Sequence, residues 1–424
     1  MTHTADQGVL GGVLPASVRA DFPILATRPG AYLDNAATTH KPRAVLDAIT
    51  GYYTTANSNT GRGYHELGRL STDVFEQARH DVQRALGAER PEEVVFTSGT
   101  TDAVNAVADG LGRRLLGPGS AVLVSGMEHN SNLLPWRRLA EETGAELLVA
   151  PVDGHGRVDV EKFTALLGPR VRLVAVSHVS NVLGTVNPVA ELIAAAHRHG
   201  ALVLVDGAQA VPHRTVDVRA LDADFYCFSA HKVYGPMGTG VLYGRYDLLD
   251  GLRPARVGGG TVKGVSATEP VRYVPLPARL EAGTPNVAGA VGLAAALRYL
   301  DDLGRDAVRA HDEHLVRYAV RRLAELPGVR VVGSPEETPS GIVSLVVDGV
   351  HPYDVGAHLD GRDIAVRCGV HCASTFLDSL GLLGTVRLSF AVYNTEADVD
   401  AAVDALATAR PGSWTADHPT TRFL

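Results

Sequence analysis

Only four lysines occur in the chain, Lys41, Lys162, Lys232 and Lys263, so chemistry that needs a primary amine has four candidates. Lys41 precedes a proline in a polar turn, Lys162 lies in a helical pattern, and Lys263 sits in a glycine-rich loop. Lys232 differs, because it follows the apolar run Phe225–Ser229 and precedes Tyr234-Gly235-Pro236. An amine at the end of a buried strand is partly desolvated, which lowers its pKa and makes it nucleophilic. A lysine that merely opens a surface loop would read the same way, so its neighbours matter.

Asp206 closes the apolar run Ala201–Val205 and is followed by Gly207-Ala208-Gln209. Alone, such an acid is more often a cap or turn former. It can also keep a heteroaromatic nitrogen protonated, turning the ring into an electron sink, while Gln209 donates to a phenolic oxygen on that ring. Thr97-Ser98-Gly99-Thr100-Thr101-Asp102 joins a strand pattern to a helix pattern. Its hydroxyls and backbone N–H groups suit a phosphate, although an ordinary N-cap has the same composition. It is neither a Walker loop nor a three-glycine dinucleotide fingerprint. His129, in Glu128-His129-Asn130, is either a satisfied loop residue or a proton shuttle stacked on a ring.

Cys372 lies in the run Arg367–Ser374, beside His371. Positive neighbours would favour its thiolate, whereas most cysteines are buried and inert. Cys-x₃-Cys without a second ligand pair lacks the logic of a zinc site, so no metal is expected. Cys227 alternates within an apolar strand and reads as core. Arg387 feeds a strand pattern and can fork onto a carboxylate, although alone it would read as a surface ion-pair partner.

The elements that must hold these residues follow from periodicity. Val94–Thr97, Ala121–Ser125, Glu146–Ala150, 172–177, 202–205, Phe225–Ser229 and 240–243 read as buried strands. Helical patterns at 102–116, 133–143 and 190–199 alternate with them. The expected fold is therefore α/β, a mostly parallel sheet with helices on both faces and ligands at the carboxyl ends of its strands. Beyond residue 286 one long helical stretch to about Leu326 leads into short strands at 329–332, 342–347, 364–367 and 386–390, then a helix at 395–408. That is the pattern of a separate, smaller α+β domain.

The chain of 424 residues exceeds one ordinary core. Its formal charge of −8 argues against a general nucleic-acid binder. The first 23 residues lack a signal-peptide pattern and no apolar run reaches membrane-spanning length, so no membrane association is expected. Three cysteines read as reduced thiols and place the chain in the cytoplasm. The polar tail 410–424 is expected at the surface.

Taken together, 32–39, 97–102, 128–136, 205–210, Ser229-Ala230-His231-Lys232 with Tyr234-Gly235-Pro236, 281–286, 367–372 and 387–395 resemble the cysteine desulfurases of the class V aminotransferase family. More narrowly, they resemble the sulfur-mobilisation group with a short active-site loop. The resemblance covers residues 30 to 408. It implies a pyridoxal 5'-phosphate-dependent transferase of fold type I, like aspartate aminotransferase. The large cofactor-binding domain would span 28–295, and the small domain 1–27 plus 296–424.

Carried over by position, Lys232 is similar to the Schiff-base lysine, His129 to the ring-stacking histidine, Asp206 to the pyridinium partner and Gln209 to the phenolate donor. Thr100, Thr101, Ser229 and His231 resemble phosphate ligands. Thr284 resembles the phosphate ligand supplied by the other subunit, which implies a homodimer. Arg387 and Asn181, with Arg367 nearby, resemble the ligands of the substrate carboxylate, and Cys372 the persulfide-forming thiol. The implied reaction converts L-cysteine to L-alanine and passes sulfur to an acceptor protein. A C–S lyase, a selenocysteine lyase or an epimerase on the same scaffold are the alternatives, and a non-catalytic scaffold is the rival from another class. Val370, where many relatives carry a second histidine, and Ser374-Thr375-Phe376 depart from the family pattern.

Overall fold

The structure is a computed structural model that describes residues 13–410 except Pro29, Arg62, Gly154 and Ala267. The absent leader pattern and the surface tail were read on segments that include residues 1–12 and 411–424, which lie outside the described residues. The chain divides into two compact units. Unit 1 comprises Met1–His40, Asn181–Thr185 and Leu300–Leu424, and unit 2 comprises Lys41–Ser180 and Val186–Tyr299. Residues 28–40 and 181–185 thus group with unit 1, although the sequence assigned them to the large domain.

Unit 2 is built on a seven-stranded sheet: β1 (Val94–Thr97), β2 (Ala121–Ser125), β3 (Glu146–Ala150), β4 (Val171–Ser177), β5 (Leu202–Asp206), β6 (Phe225–Ser229) and β7 (Gly240–Gly244). Their spatial order is β1-β7-β6-β5-β4-β2-β3, and only β7 runs against the others. Every residue of β2, β6 and β7 is buried, which explains why these strands read as continuous apolar runs rather than alternating ones. One face of the sheet packs Val122, Val124, Leu173, Ala175, Leu204, Phe225 and Cys227 against Val104, Val107 and Trp136 of the flanking helices. The helical pattern after β1 starts at Thr100 and passes through a π-helical turn, Ala108–Gly112.

Unit 1 carries a four-stranded antiparallel sheet of β8 (Val329–Val331), β9 (Ile342–Val347), β10 (Arg367–Gly369) and β11 (Thr385–Ser389), in the order β8-β9-β11-β10. Two sequence expectations change here. The long helical stretch breaks into Val287–Leu303 and Arg305–Ala324 at Gly304, whose φ of 84° no helix accommodates. The strand expected at 364–367 is two strands, because Ile364–Ala365 pairs in parallel with Ala31–Tyr32 while Arg367–Gly369 joins β11. Among the described residues no helix is long and apolar enough to cross a membrane.

Candidate active site

In unit 2 most of the residues singled out from sequence stand at or just beyond the carboxyl ends of β1, β2, β5 and β6. Asp206 is the last residue of β5, in register with Ser177 of β4 and Cys227 of β6. It is buried, and one carboxylate oxygen accepts the Ala208 N–H at 2.9 Å. Burial pushes its pKa up, while that N–H and the charge of Lys232 hold it down. The Lys232 ammonium is therefore within electrostatic reach of the carboxylate.

The turn after Asp206 has no room for a side chain at Gly207, where a Cβ would meet the Tyr226 ring and hydroxyl at 2.0–2.3 Å. That hydroxyl pairs with His178 Nδ1 at 2.9 Å, and burial pushes His178 down to about 4. Gln209 is buried in the same turn.

Lys232 ends the one-turn helix Ala230–Lys232 directly after β6, and is half-buried. A second lysine braces this turn: Lys41 Nζ donates to the carbonyl of His231 at 3.2 Å. Burial pushes Lys41 down to about 8. Sequence reasoning set Lys41 aside as a turn residue, and nothing local to it signals the contact.

Thr100 opens the helix Thr100–Val107 and meets Ser229 from the end of β6. Its N–H donates to the Ser229 hydroxyl at 2.9 Å, and the two hydroxyls lie 2.8 Å apart. The segments bearing them pack closely, since a Cβ on Gly99 would sit 3.3 Å from Ser229 Oγ. Thr101 is exposed and pairs with the Ser131 hydroxyl at 2.7 Å. His129 caps the short helix Asn130–Asn132, its Nδ1 accepting the Ser131 N–H at 3.0 Å. Thr284 is exposed in the loop before the helix Val287–Leu303.

Beside His129 lies a group the sequence marked only as part of a motif. Glu128 is buried and accepts hydrogen bonds from the Ser125 hydroxyl, from Asn132 Nδ2 at 2.7 Å, and from the Ser177 N–H and hydroxyl at 2.8 and 2.6 Å. Burial pushes its carboxyl up to about 7 against all of these donors.

Unit 1 gathers Cys372, Arg387, Arg367 and Asn181. Arg387 is 2% exposed at the middle of β11, in register with Arg367 of β10. Its Nη1 donates to the Asn181 carbonyl at 2.7 Å and its Nη2 to Asp34 at 3.2 Å, while Nε has no hydrogen-bond partner. Burial pushes its pKa down to about 10. Asn181 turns its side-chain amide onto the His371 carbonyl at 2.8 Å.

His371 and Cys372 are consecutive left-handed residues, with φ of 51° and 56°. Such conformations cost a non-glycine residue roughly 1–2 kcal/mol each and persist only where surroundings hold them. Here the Asn181 amide and a 2.7 Å contact between His371 Nε2 and the Thr385 hydroxyl supply that hold. The expectation that His371 acts as a cation beside the thiol is corrected. Burial, then the charges of Arg387 and Arg367, push it down to about 3, so its imidazole is neutral at neutral pH. Arg387 is the cation in electrostatic reach of Cys372. Cys368 is packed against Gly356 and pushed up to about 12 by burial, and Cys227 is core.

Residues 31–402 match the family Aminotransferase class-V. A cysteine desulfurase of Dickeya dadantii is 46% identical over 393 residues, covering 92% of this chain and 95% of that protein. A probable cysteine desulfurase 1 of Mycobacterium leprae is 46% identical over 388 residues, covering 91% of this chain but 63% of that protein. The chain likewise spans only 56% and 64% of its relatives from Mycolicibacterium paratuberculosis and Synechococcus elongatus. Among solved structures, the apo cysteine desulfurase of Thermococcus onnurineus superposes with a TM-score of 0.89 at 39% identity, covering 93% of this chain and 97% of that one. A lysine-to-alanine variant of C-DES, with glycine covalently linked to its PLP cofactor, superposes with a TM-score of 0.79 at 25% identity, covering 92% of this chain and 99% of that one. The chain belongs to the class-V aminotransferases, in their cysteine desulfurase group.

Proposed function

We propose that the protein is a pyridoxal 5'-phosphate-dependent cysteine desulfurase that converts L-cysteine to L-alanine and leaves a persulfide on Cys372. The donor chemistry of unit 2 fits the cofactor. Asp206 is a buried carboxylate at a strand end, suited to a cationic ring nitrogen. Thr100 and Ser229 meet where a helix begins, suited to a phosphate. Thr101, His231 and Gln209 would complete the set, with Thr284 serving the second copy of a homodimer. When bound, the cofactor supplies an electron sink for negative charge at the substrate Cα.

The remaining work falls to side chains. Lys232 would hold the cofactor, and its amine would take the Cα proton of the substrate. His129 would lie beside the cofactor and move protons there. Arg387 binds the substrate carboxylate, helped by Arg367 and by Asn181 once its amide leaves the His371 carbonyl. The Cys372 thiolate attacks the substrate sulfur: an S–S bond forms, the Cβ–S bond breaks, and protonation of the carbon releases alanine. The sulfur then passes to an acceptor protein. A reducing compartment such as the cytoplasm suits three free thiols.

The observation that carries this reading is the thiol at Cys372, within electrostatic reach of the buried Arg387 guanidinium. A transaminase has no use for that thiol. The test is incubation of purified protein with PLP, L-cysteine and a reductant, with alanine, sulfide and pyruvate measured together. Equal alanine and sulfide, both lost in Cys372→Ser, is the expected result. Pyruvate, or turnover undiminished in that variant, would instead identify a lyase or epimerase.

A further inference from the structure

Glu128 is a buried acid that the reaction above does not use, and its hydrogen bonds run in one direction only. Trp136 Nε1 can only donate, and it does so to Asn132 Oδ1 at 3.2 Å. That fixes the Asn132 amide, whose nitrogen must then face Glu128 Oε2, where it donates at 2.7 Å. On the other side the Ser177 backbone N–H, which cannot be turned, donates to Glu128 Oε1 at 2.8 Å. Both oxygens at position 128 must therefore accept. A carboxylate satisfies this and an amide of the same shape does not. With its NH₂ at the Oε1 position it opposes the Ser177 N–H. At the Oε2 position it opposes Asn132, and turning Asn132 would drive its NH₂ onto the Trp136 N–H.

The relay ties the ends of β2 and β4, through Ser125 and Ser177, to the segment that follows β2. That segment carries His129 and also Ser131, whose hydroxyl holds Thr101 at 2.7 Å. One buried carboxylate thus braces two groups on the cofactor side of the site. We propose that Glu128 is a positioning residue whose two acceptor oxygens, rather than its shape alone, set His129 and the Ser131–Thr101 pair against the cofactor. This rests on the assignment of His129 and Thr101 made above.

The polarity argument names its own rescue. In Glu128→Gln/Asn132→Asp the new amide donates to the new carboxylate, whose second oxygen still accepts from Trp136. The Gln carbonyl, at the Oε1 position, keeps the Ser125 hydroxyl and the Ser177 N–H as donors, and the Ser177 hydroxyl, which faces Oε2, turns to accept from the new NH₂. PLP affinity and the absorbance and circular dichroism of the bound cofactor are measured for wild type, Glu128→Gln and the double variant, with thermal unfolding of each apoprotein. Glu128→Gln should bind PLP about tenfold to hundredfold more weakly, the cost of one unsatisfied buried donor, with an altered cofactor spectrum. The double variant should recover to within a fewfold of wild type.

A wild-type spectrum and affinity in Glu128→Gln would overturn the proposal. So would a double variant no better than the single one, or one that fails to fold. If Glu128→Gln alone fails to fold while the double variant folds and binds, the relay stands. A wild-type protein with no cofactor band would sink the functional reading first, and is distinguishable from every outcome among the variants.

Discussion

Among the residues singled out for the site, the two units bury opposite charges, and in different kinds of place. Unit 2 sets carboxylates, Asp206 and Glu128, at the ends of parallel strands, where chain direction reverses and backbone N–H groups such as those of Ala208 and Ser177 turn toward them. Unit 1 sets a guanidinium, Arg387, in the middle of an antiparallel strand, where the Asn181 carbonyl and the Asp34 carboxylate compensate it. The difference follows what each would bind: a cationic ring nitrogen in one, a substrate carboxylate in the other. The backbone supports differ as well. The residues of unit 2 stand on strand ends and helix starts, whereas Cys372 stands on two strained left-handed residues held by side-chain contacts. On the proposed reaction the thiol would take up sulfur and then give it away, which suits the second kind of support.

Removing the unit 1 cation should break the comparison most sharply. Arg387→Leu deletes the charge and its fork, so the KM for L-cysteine should rise about a hundredfold, near the 3 kcal/mol upper value for hydrogen bonds to charged groups. Arg387→Lys, which keeps the charge without the fork, should recover part of the loss. Steady-state kinetics decide, and an unchanged KM in Arg387→Leu would remove this residue from substrate binding.

In unit 2 the tightest test is steric. Gly207→Ala forces a methyl into the Tyr226 ring and should destabilise the protein by about 2 kcal/mol in denaturant unfolding. An undisturbed midpoint would mean that the turn after Asp206 is looser than its contacts imply.

Each unit also buries a neutral histidine, and pH should expose both. His178 is pushed down to about 4 and His371 to about 3, below their ordinary 6.5. Below pH 6.5 the unfolded chain binds protons that the folded one refuses, so stability is full above that pH and falls as pH drops toward 4. Each histidine contributes roughly 1.4 kcal/mol per pH unit in that window. Glu128, raised to about 7, acts with the opposite sign between its unfolded value and 7. The clean measurement is therefore a difference: His178→Gln should show a shallower loss of unfolding free energy between pH 6.5 and 4.5 than wild type. Parallel curves would contradict a neutral His178.

The smallest effect concerns strain at the thiol. With φ at 56°, position 372 accepts glycine more readily than any residue with a Cβ. Cys372→Gly should be more stable than Cys372→Ala by about 1 kcal/mol, less the entropy that glycine adds to the unfolded chain. Alanine equal to glycine would place this residue outside the left-handed region.

Much of this was legible in the chain. Strands such as Ala121–Ser125 and Phe225–Ser229 announced themselves because both faces are buried, which leaves an unbroken apolar run. Lys232 and Asp206 were legible because each follows such a run. What local pattern could not supply was partner choice. Ile364–Arg367 read as one strand, yet its first half pairs with Ala31–Tyr32 and the next residues with β11. Lys41 read as a turn residue because its acceptor, the His231 carbonyl, lies 190 positions away.

The order of apolar runs, polar turns and short motifs determined by itself that unit 2 is α/β, which residues end its strands, and which family the chain resembles. Those signals are local, carried by burial and backbone preference along a few residues. Folding decided the protonation and polarity of the groups: that His371 is neutral and Arg387 the cation, that Asn181 sides with unit 1, and that Glu128 must accept at both oxygens. These depend on desolvation and on donors brought from distant positions, neither of which exists until the chain has closed around them.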